Sequence, residues 1–493
     1  MSHDTIDAPP LRPSANPYLG GNYAPVREEV TATDLEVTGT IPEYLDGRYL
    51  RTGPNPIGDP DPASYQWFMG EGMAHGLNLR DGTAQWYRNR WIRSAAVART
   101  LGERWPGGGR RAGFDYAGNT NIVGHAGRTL VLTEMGVRPY ELTEELETVG
   151  GSDFCGTLFG GYAAHPKIDP VSGEMHAVAY HPMRGARARY TVTGTDGRIR
   201  RSVDIDLATH TMLHDFSLTE RYVVIYDLPV VLDLGGAMNS PAARAVAARL
   251  SRFAARHGAP DLMLRAVMRA SEFTTAGMAA LPYRWEPDKQ ARIGVMPRDG
   301  GNADVRWFEV PQCYVFHPLN AYDEPAGIVL DVVRHPSVFT AGARLFEPPT
   351  LDRWTVDLRT GRVTTECLHD EPQEFPRVDE RRVGRRHRYG YSVASALVDE
   401  LPTPQAILRH DLQTGQSRRV TFGGGEPGEF VFVPATDDAD EDDGVVMGFV
   451  YRRADDRSDL VLLDGRTLET VATVHVPVRV PHGFHGNWVP RAG

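Results

Sequence analysis

The amino-acid sequence predicts an all-β protein built as a β-propeller. Short runs of β-branched and aromatic residues alternate with turns rich in Gly and Asp from about residue 34 onward. Representative runs are 222–226, 327–333, 445–451 and 460–463. A turn motif also recurs at Asp357, Asp411 and Asp464, with spacings of 54 and 53 residues. A repeat of this length is typical of four-stranded blades stacked around an axis.

The same turns would also join the hairpins of a β-sandwich, and this alternative stays open at this point. Dividing the length of 493 residues by the repeat favours one large propeller over several domains. We therefore expect an extended N-terminal segment, residues 1–30, followed by a single β-propeller domain, residues 31–493.

The composition excludes several classes of protein. Hydrophobic residues make up 41% and charged residues 24% of the chain, which fits a folded rather than a disordered protein. The formal net charge of −11 argues against a nucleic acid as the main partner. The three cysteines, Cys155, Cys313 and Cys367, are far apart and odd in number. They therefore indicate neither a disulfide framework nor a thiolate metal site.

The sequence shows no sign of export or of membrane insertion. Residues 1–26 lack the basic and apolar regions of a signal peptide. No apolar run reaches the roughly 18 residues that a spanning helix needs. We expect a cytoplasmic protein without a transmembrane segment.

Residues 236–280 break the β pattern and predict a helical insertion. Ser240 followed by Pro241 is a helix-start signal, and Gly258 is a stop signal. On a helical wheel four arginines share one arc and apolar residues fill the arc beside it. They are Arg244, Arg249, Arg252 and Arg256, beside Ala242, Val246, Leu250 and Phe253. Such helices fit either peripheral membrane contact through residues 240–270 or packing on the propeller rim, and both interpretations stay open.

Four of the 17 histidines stand in or beside apolar β segments: His165, His214, His317 and His485. Their separations are 49, 103 and 168 residues, and the second interval contains the insertion. The first three histidines would therefore lie about one blade apart, and residues from different blades converge only on the axis. Imidazole suits Fe, Zn, Cu and Ni, and carboxylates that accept the other ring N–H would orient the rings. Motifs for a nucleophile elbow, a phosphate loop or a dinucleotide fold are absent from the sequence.

Several long motifs occur in one order between about residue 16 and residue 488. They include GTIPEYLDGRYLRTGPNP, WFMGEGMAHGL, AHPKIDPVSGE, EFPRVDERRVGRRHRYGY, EDDG and GFHG. This order resembles the carotenoid cleavage oxygenase family. The resemblance implies a seven-bladed propeller with the helical insertion as a cap over an axial non-haem Fe(II). It also implies that His165, His214, His317 and His485 are the iron ligands and catalytic residues.

The resemblance further implies which carboxylates support the ligands and what the iron does. The family's supporting glutamates match Glu134 in LTEMG, Glu374 in EFPR and Glu441 in EDDG. The implied reaction inserts O2 across a C=C double bond and gives two carbonyl products. This chemistry requires no acid and base pair.

The resemblance leaves the substrate class open between polyenes and stilbenes. In the stilbene-cleaving branch a Lys precedes the first supporting glutamate, whereas this chain has Thr133 there. Its two lysines, Lys167 and Lys289, match no such position. We therefore expect an apolar carotenoid or apocarotenoid substrate, with a lignostilbene-type substrate as the alternative. A non-catalytic propeller that only binds a partner is the alternative from another class.

Overall fold

The computed structural model describes residues 16–233, 281–340, 347–398 and 401–491, and residues 249, 259–260, 262–263, 265–266 and 269 between them. Within these residues β-strands dominate, and helix α1, Ala95–Leu101, starts at the side-chain cap Ser94. In chain order the strands are β1 Thr31–Ala32, β2 Val37–Gly39, β3 Gly47–Pro54, β4 Gly72–Arg80, β5 Thr83–Trp91, β6 Asn121–His125, β7 Arg128–Leu132, β8 Tyr140–Leu142, β9 Thr148–Gly151, β10 Lys167–Ile168, β11 Met175–Tyr180, β12 Arg187–Thr193, β13 Ile199–Asp206, β14 Phe216–Leu218, β15 Tyr222–Asp227, β16 Val230–Leu232, β17 Tyr283–Trp285, β18 Arg292–Pro297, β19 Arg306–Glu309, β20 Tyr314–Glu324, β21 Gly327–His335, β22 Thr350–Asp357, β23 Val363–His369, β24 Gln373–Arg377, β25 Tyr389–Val398, β26 Leu401–Asp411, β27 Gln416–Val420, β28 Glu426–Pro427, β29 Val431–Pro434, β30 Gly444–Arg452, β31 Arg457–Asp464, β32 Thr470–Val476 and β33 Gly486–Pro490.

The strands form seven antiparallel sheets, which are the blades of a propeller. Five blades are continuous in the chain, or nearly so: β6–β9, β10–β13, β20–β23, β24–β27, and β14, β15, β18 and β19. The other two blades are β1, β3, β4, β5 and β33, and β2 with β28–β32. A ribbon of β16 and β17 completes the described sheet structure. The expected seven-bladed β-propeller is therefore confirmed, and the β-sandwich alternative is wrong.

The two ends of the chain close the ring. Strand β33 pairs with β3, from Gly47 opposite Pro490 to Arg51 opposite Gly486. Strand β2 pairs with β32 at the rim of the last blade. A Cβ atom at Gly47 would lie 2.5 Å from the Val489 carbonyl oxygen, so this close pairing requires a glycine. The closure also brings the residues just before β33 to the axis.

Burial decreases from the axis to the rim. Strand β3 is buried along all eight residues. The outer strand β13 instead alternates between half-buried and exposed positions over most of its length. Large fully buried side chains such as Tyr190, Phe216 and Trp354 fill the space between neighbouring blades. The alternating burial of β13 is the pattern of a strand with one face on the core, whereas β3 is enclosed on both faces.

Most of the predicted insertion, 236–280, lies outside the described residues, and so does its expected place as a cap. The described residues 249, 262, 263, 265, 266 and 269 are helical. Ala259 donates its backbone N–H to the Met183 carbonyl, and the Arg265 guanidinium lies 5.5 Å from the ring centre of Phe159. Leu262 is 81% exposed. No helix in the described part of the chain is long and apolar enough to cross a membrane.

Residues 16–30, the described part of the predicted N-terminal segment, contain no strand. Two short 3-10 helices, Pro17–Leu19 and Gly21–Tyr23, lie in this stretch. Residues 1–15 lie outside the described residues.

Candidate active site

The fold brings the four selected histidines together on the axis. His165 and His214 lie two residues before β10 and β14, His317 lies within β20, and His485 directly precedes β33. The centres of their rings are 4.6 to 5.1 Å apart in five of the pairs. One side-chain nitrogen from each of His165, His317 and His485 lies within 4.8 Å of the others. Strand ends from four different blades thus supply converging imidazoles.

Carboxylates hold three of these rings by their Nδ1 atoms. His214 donates to Glu134 Oε1 at 3.0 Å, and His317 donates to Glu374 Oε2 at 2.6 Å. His485 donates to Glu429 Oε1 at 3.0 Å. A proton held on Nδ1 leaves Nε2 as a lone pair, which is the form that binds a metal ion.

The sequence-based choice of Glu441 as the third supporting carboxylate is wrong. Its Oε1 accepts the backbone N–H groups of Arg388 and Tyr389 at 2.6 and 2.7 Å, and the Arg382 guanidinium is 3.6 Å from Oε2. Glu441 follows the far end of β29, whereas Glu429 lies just before the axial end of that strand. Glu429 therefore takes the position that Glu441 was expected to occupy.

The blade repeat contained the signal that would have found Glu429. Glu374 lies 17 residues after the repeat position Asp357, and Glu429 lies 18 residues after the next repeat position, Asp411. Glu441 lies 30 residues after Asp411. Equal places in successive blades point to the same end of the propeller, so the spacing favours Glu429.

Two of the supporting carboxylates accept further hydrogen bonds. Glu374 also accepts from His335 Nε2 at 2.8 Å and from its neighbouring Phe375 N–H at 2.7 Å. Glu429 also accepts from Gly486 N–H at 2.8 Å.

Burial alone would raise the pKa of Glu429, but the nearby Arg377 guanidinium and His485 hold it at about 2. The pKa of Glu374 is likewise lowered, by His317 and His335 against the effect of burial. Both groups are therefore ionised at neutral pH.

The positions of the histidine ring nitrogens indicate a cation-binding site. His214 Nε2 and His317 Nε2 are 3.2 Å apart, yet both rings already use Nδ1 as the donor to a carboxylate. Two lone pairs at this distance repel unless a proton or a metal ion lies between them. His165 Nε2 is buried and has no hydrogen-bond partner among the described residues. Burial lowers the pKa of His165 well below its ordinary value and that of His485 to about 4. Glu134 instead raises the pKa of His214 against the effect of burial, and a bound cation would take the place of the proton that this carboxylate favours. These residues fit a divalent metal ion bound by imidazoles that are neutral once the ion is present.

A cavity of about 640 Å³ opens beside the histidines. Its wall is mainly apolar and includes the aromatic side chains of Trp67, Phe68, Phe114, Phe316, Phe339 and Phe484. Thr133 also lines it, and its hydroxyl accepts from the Asn119 N–H at 3.3 Å. Neither lysine does: Lys167 pairs with Asp215, and Lys289 pairs with Asp227. The cavity has the size and the apolar lining of a small-molecule site.

Three features define the class of this protein: a seven-bladed propeller, four histidines that converge on its axis, and an apolar cavity beside them. A family described as retinal pigment epithelial membrane protein matches residues 23–490. A Mycobacterium tuberculosis protein named carotenoid cleavage oxygenase is 50% identical, over 97% of this chain and 98% of that protein. The Arabidopsis thaliana carotenoid 9,10(9',10')-cleavage dioxygenase 1 is 30% identical, over 96% of this chain and 89% of that protein.

Solved structures agree with the sequence relatives. Pseudomonas brassicacearum lignostilbene dioxygenase matches with a TM-score of 0.80 and 28% identity, over 97% of this chain and 99% of that chain. Cobalt-substituted Synechocystis ACO matches with a TM-score of 0.76 and 25% identity, over 95% of this chain and 97% of that chain. The chain therefore belongs to the carotenoid cleavage oxygenase family, and it is an oxygenase.

Proposed function

We propose that the protein is a non-haem Fe(II)-dependent dioxygenase that cleaves a C=C double bond of a carotenoid or apocarotenoid with O2. The products would be two aldehydes or ketones. The observation that carries the proposal is the convergence of four imidazoles beside an apolar cavity, with three of them held by carboxylates. The printed names of the mycobacterial and plant relatives support the reaction, and the cobalt-substituted relative supports a metal site.

His165, His214, His317 and His485 would hold the iron. When bound, Fe(II) would supply the position at which O2 is activated for attack on the double bond. Glu134, Glu374 and Glu429 keep protons on the Nδ1 atoms and so direct Nε2 lone pairs inward. The aromatic wall would hold the polyene beside these rings and exclude water.

Anaerobic loading with Fe(II), followed by a panel of polyenes in 18O2, tests the reaction. We expect bound iron near one atom per chain and pairs of carbonyl products that each carry label from O2. Protein that stays free of iron is the control and should be inactive. A fully loaded protein that cleaves no polyene in the panel would refute the proposal and favour the lignostilbene-type alternative.

We further propose that polyenes, rather than stilbenes, are the preferred substrates. Thr133 offers no cation for a phenolate, and no lysine lines the cavity within the described residues. Because the structure is similar to that of a lignostilbene dioxygenase, stilbenes are the alternative substrates to compare with polyenes. We expect a higher kcat/KM for a β-apocarotenal than for hydroxystilbenes, and we expect Thr133→Lys to raise the stilbene value. Faster oxidation of hydroxystilbenes than of every polyene by the parent enzyme would reverse this assignment.

The protein would meet its substrate as a cytoplasmic enzyme that contacts membranes peripherally through residues 240–270. The exposed Leu262 and Met263, 81% and 42% accessible, support this proposal. We expect the double variant Leu262→Ser with Met263→Ser to co-sediment less with anionic liposomes. Its activity on a detergent-dispersed apocarotenal should stay close to the parent value. Equal liposome binding by both proteins would indicate that this segment does not carry membrane contact.

A further inference from the structure

Residues 16–25 form a strap that is fastened across one end of the propeller. At its start, the Asn16 side chain donates to the carbonyls of Pro62 and Tyr65 at 3.0 and 2.9 Å. At its end, Arg479 donates to the Ala24 carbonyl at 2.6 Å. Both fastenings join the strap to residues far away in the chain, so its position is fixed by the folded propeller.

A buried polar chain fastens the middle of the strap. The Asn22 amide is 3.3 Å from His482 Nδ1, and the His482 backbone N–H donates to the Asn22 carbonyl at 2.8 Å. On the other side of the ring, His482 Nε2 is 2.8 Å from Glu426, which pairs with Arg453 at 2.7 Å. His482 therefore holds the strap through its backbone N–H and ring Nδ1, while Glu426 fixes the ring at Nε2.

The strap carries two tyrosines into the cavity wall. The Tyr18 ring stacks on Trp67 with the ring centres 5.8 Å apart, and Tyr23 meets Trp67 edge-on at 5.1 Å. Trp67 in turn packs on Phe484 at 4.7 Å, and Phe484 directly precedes His485. The two tyrosines, Trp67 and Phe484 thus form a run of packed rings in the wall of the same cavity that His485 lines.

We propose that Tyr18 and Tyr23 are specificity-determining residues that form the end wall for one arm of the substrate. This inference rests on the proposed polyene cleavage and adds the element that selects the bond. A conjugated polyene is stiff, so an arm that meets a wall cannot fold back. The distance from the wall to the axial histidines then fixes which double bond lies at the axis. Displacements of about 1 Å in such positioning change rates strongly.

A series of side-chain sizes at both positions tests the wall. The variants are Tyr→Ala, Tyr→Phe and Tyr→Trp at residue 18 and at residue 23, with the exposed Tyr44→Ala as the matched control. We expect Ala to raise kcat/KM for a longer apocarotenal relative to a shorter one by on the order of 10-fold. Phe should retain the parent ratio, because it keeps the ring, and Trp should lower the ratio. The masses of the aldehydes should show the cleaved bond moving with wall size, and iron content should stay at the parent value.

A structural role alone would change stability without this graded effect. Identical chain-length preference and identical products in the Ala, Phe and Trp variants would overturn the inference. If the Ala variants fail to fold, the Trp variants alone test the inference. Binding of apocarotenals of different length, followed by tryptophan fluorescence, separates this inference from the proposed reaction. A parent protein that cleaves nothing refutes the reaction, whereas an unchanged binding preference in the variants refutes the wall.

Discussion

The two sides of the axial centre are braced to different degrees. On the side of His317 and His485, Glu374 and Glu429 each use both oxygens as acceptors. On the side of His214, within the residues that the structure describes, the Glu134 carboxylate accepts from that ring alone, and its buried Oε2 has no hydrogen-bond partner. Within the same residues, His165 has no carboxylate partner for its ring. One side of the site is therefore fixed by several donors, while the other depends on one bond.

This difference predicts which substitutions of the supporting glutamates the site tolerates. A glutamine can replace a glutamate where one oxygen has no donor facing it, because the amide NH2 can occupy that position. Where donors face both oxygens, the NH2 must oppose an N–H group, and a buried donor is left unpaired. The four predictions below use this comparison, from the largest expected effect on metal binding to the smallest.

Loss of a ligand should have the largest effect. His317→Ala removes one of four converging imidazoles and leaves the half-buried Glu374 carboxylate with fewer donors. We expect loss of stoichiometric iron and of turnover, measured by elemental analysis and product formation, with the propeller still folded by circular dichroism. His125→Ala is the control: this buried histidine bonds the Gly194 carbonyl away from the axis and should affect stability but not iron. Full iron content in His317→Ala would contradict the ligand assignment.

Glu429→Gln should have the largest effect among the supporting carboxylates. Gly486 N–H and the His485 ring N–H face its two oxygens, and the Arg377 guanidinium lies 3.4 Å from Oε2. A backbone N–H cannot change its role, and moving the His485 proton to Nε2 would block metal binding. We expect iron affinity to fall by about 10- to 100-fold, measured by competition with a chelator. Affinity equal to that of the parent would show that this brace does not orient His485.

Glu134→Gln should be milder than Glu429→Gln. The amide oxygen can still accept from His214 Nδ1, and the NH2 group can occupy the position of Oε2. What is lost is the negative charge beside the metal site. We expect an affinity loss below about 10-fold in the same competition assay, at the low end of effects for such partners. A loss as large as that of Glu429→Gln would show that charge, rather than hydrogen bonding, dominates on both sides.

The sequence predicted the parts of the molecule that repeat. The turns at Asp357, Asp411 and Asp464 marked the blades, and apolar surroundings marked the four histidines as axial. Both signals are local, since they depend on neighbouring residues and on a constant spacing. Turn chemistry and strand alternation are set by the same short-range physics in every blade.

Contacts between distant segments could not be predicted in this way. The strap residue Asn22 meets His482 across 460 residues, and strand β33 closes the first blade. His335 bonds Glu374 from a neighbouring blade without any motif that marks it. These pairings depend on how the ring closes, and no local pattern records the closure. The choice of Glu441 over Glu429 failed for a different reason, because a family motif was weighed without the blade spacing.

Glu441→Ala should have the smallest effect on metal binding and separates the two glutamates. Glu441 accepts the N–H groups of Arg388 and Tyr389 and touches no axial histidine. Its removal takes the acceptor from the part-buried Tyr389 N–H, which costs about 1–3 kcal/mol of unfolding free energy, whereas water can pair with the exposed Arg388 N–H. Iron content and chelator competition should match the parent protein, whereas urea denaturation should show the lost stability. Glu429→Gln should lower iron affinity and Glu441→Ala should not, so the two variants together test which glutamate supports the metal site. Loss of iron in Glu441→Ala, at unchanged stability, would restore the sequence-based assignment and remove Glu429 from the site.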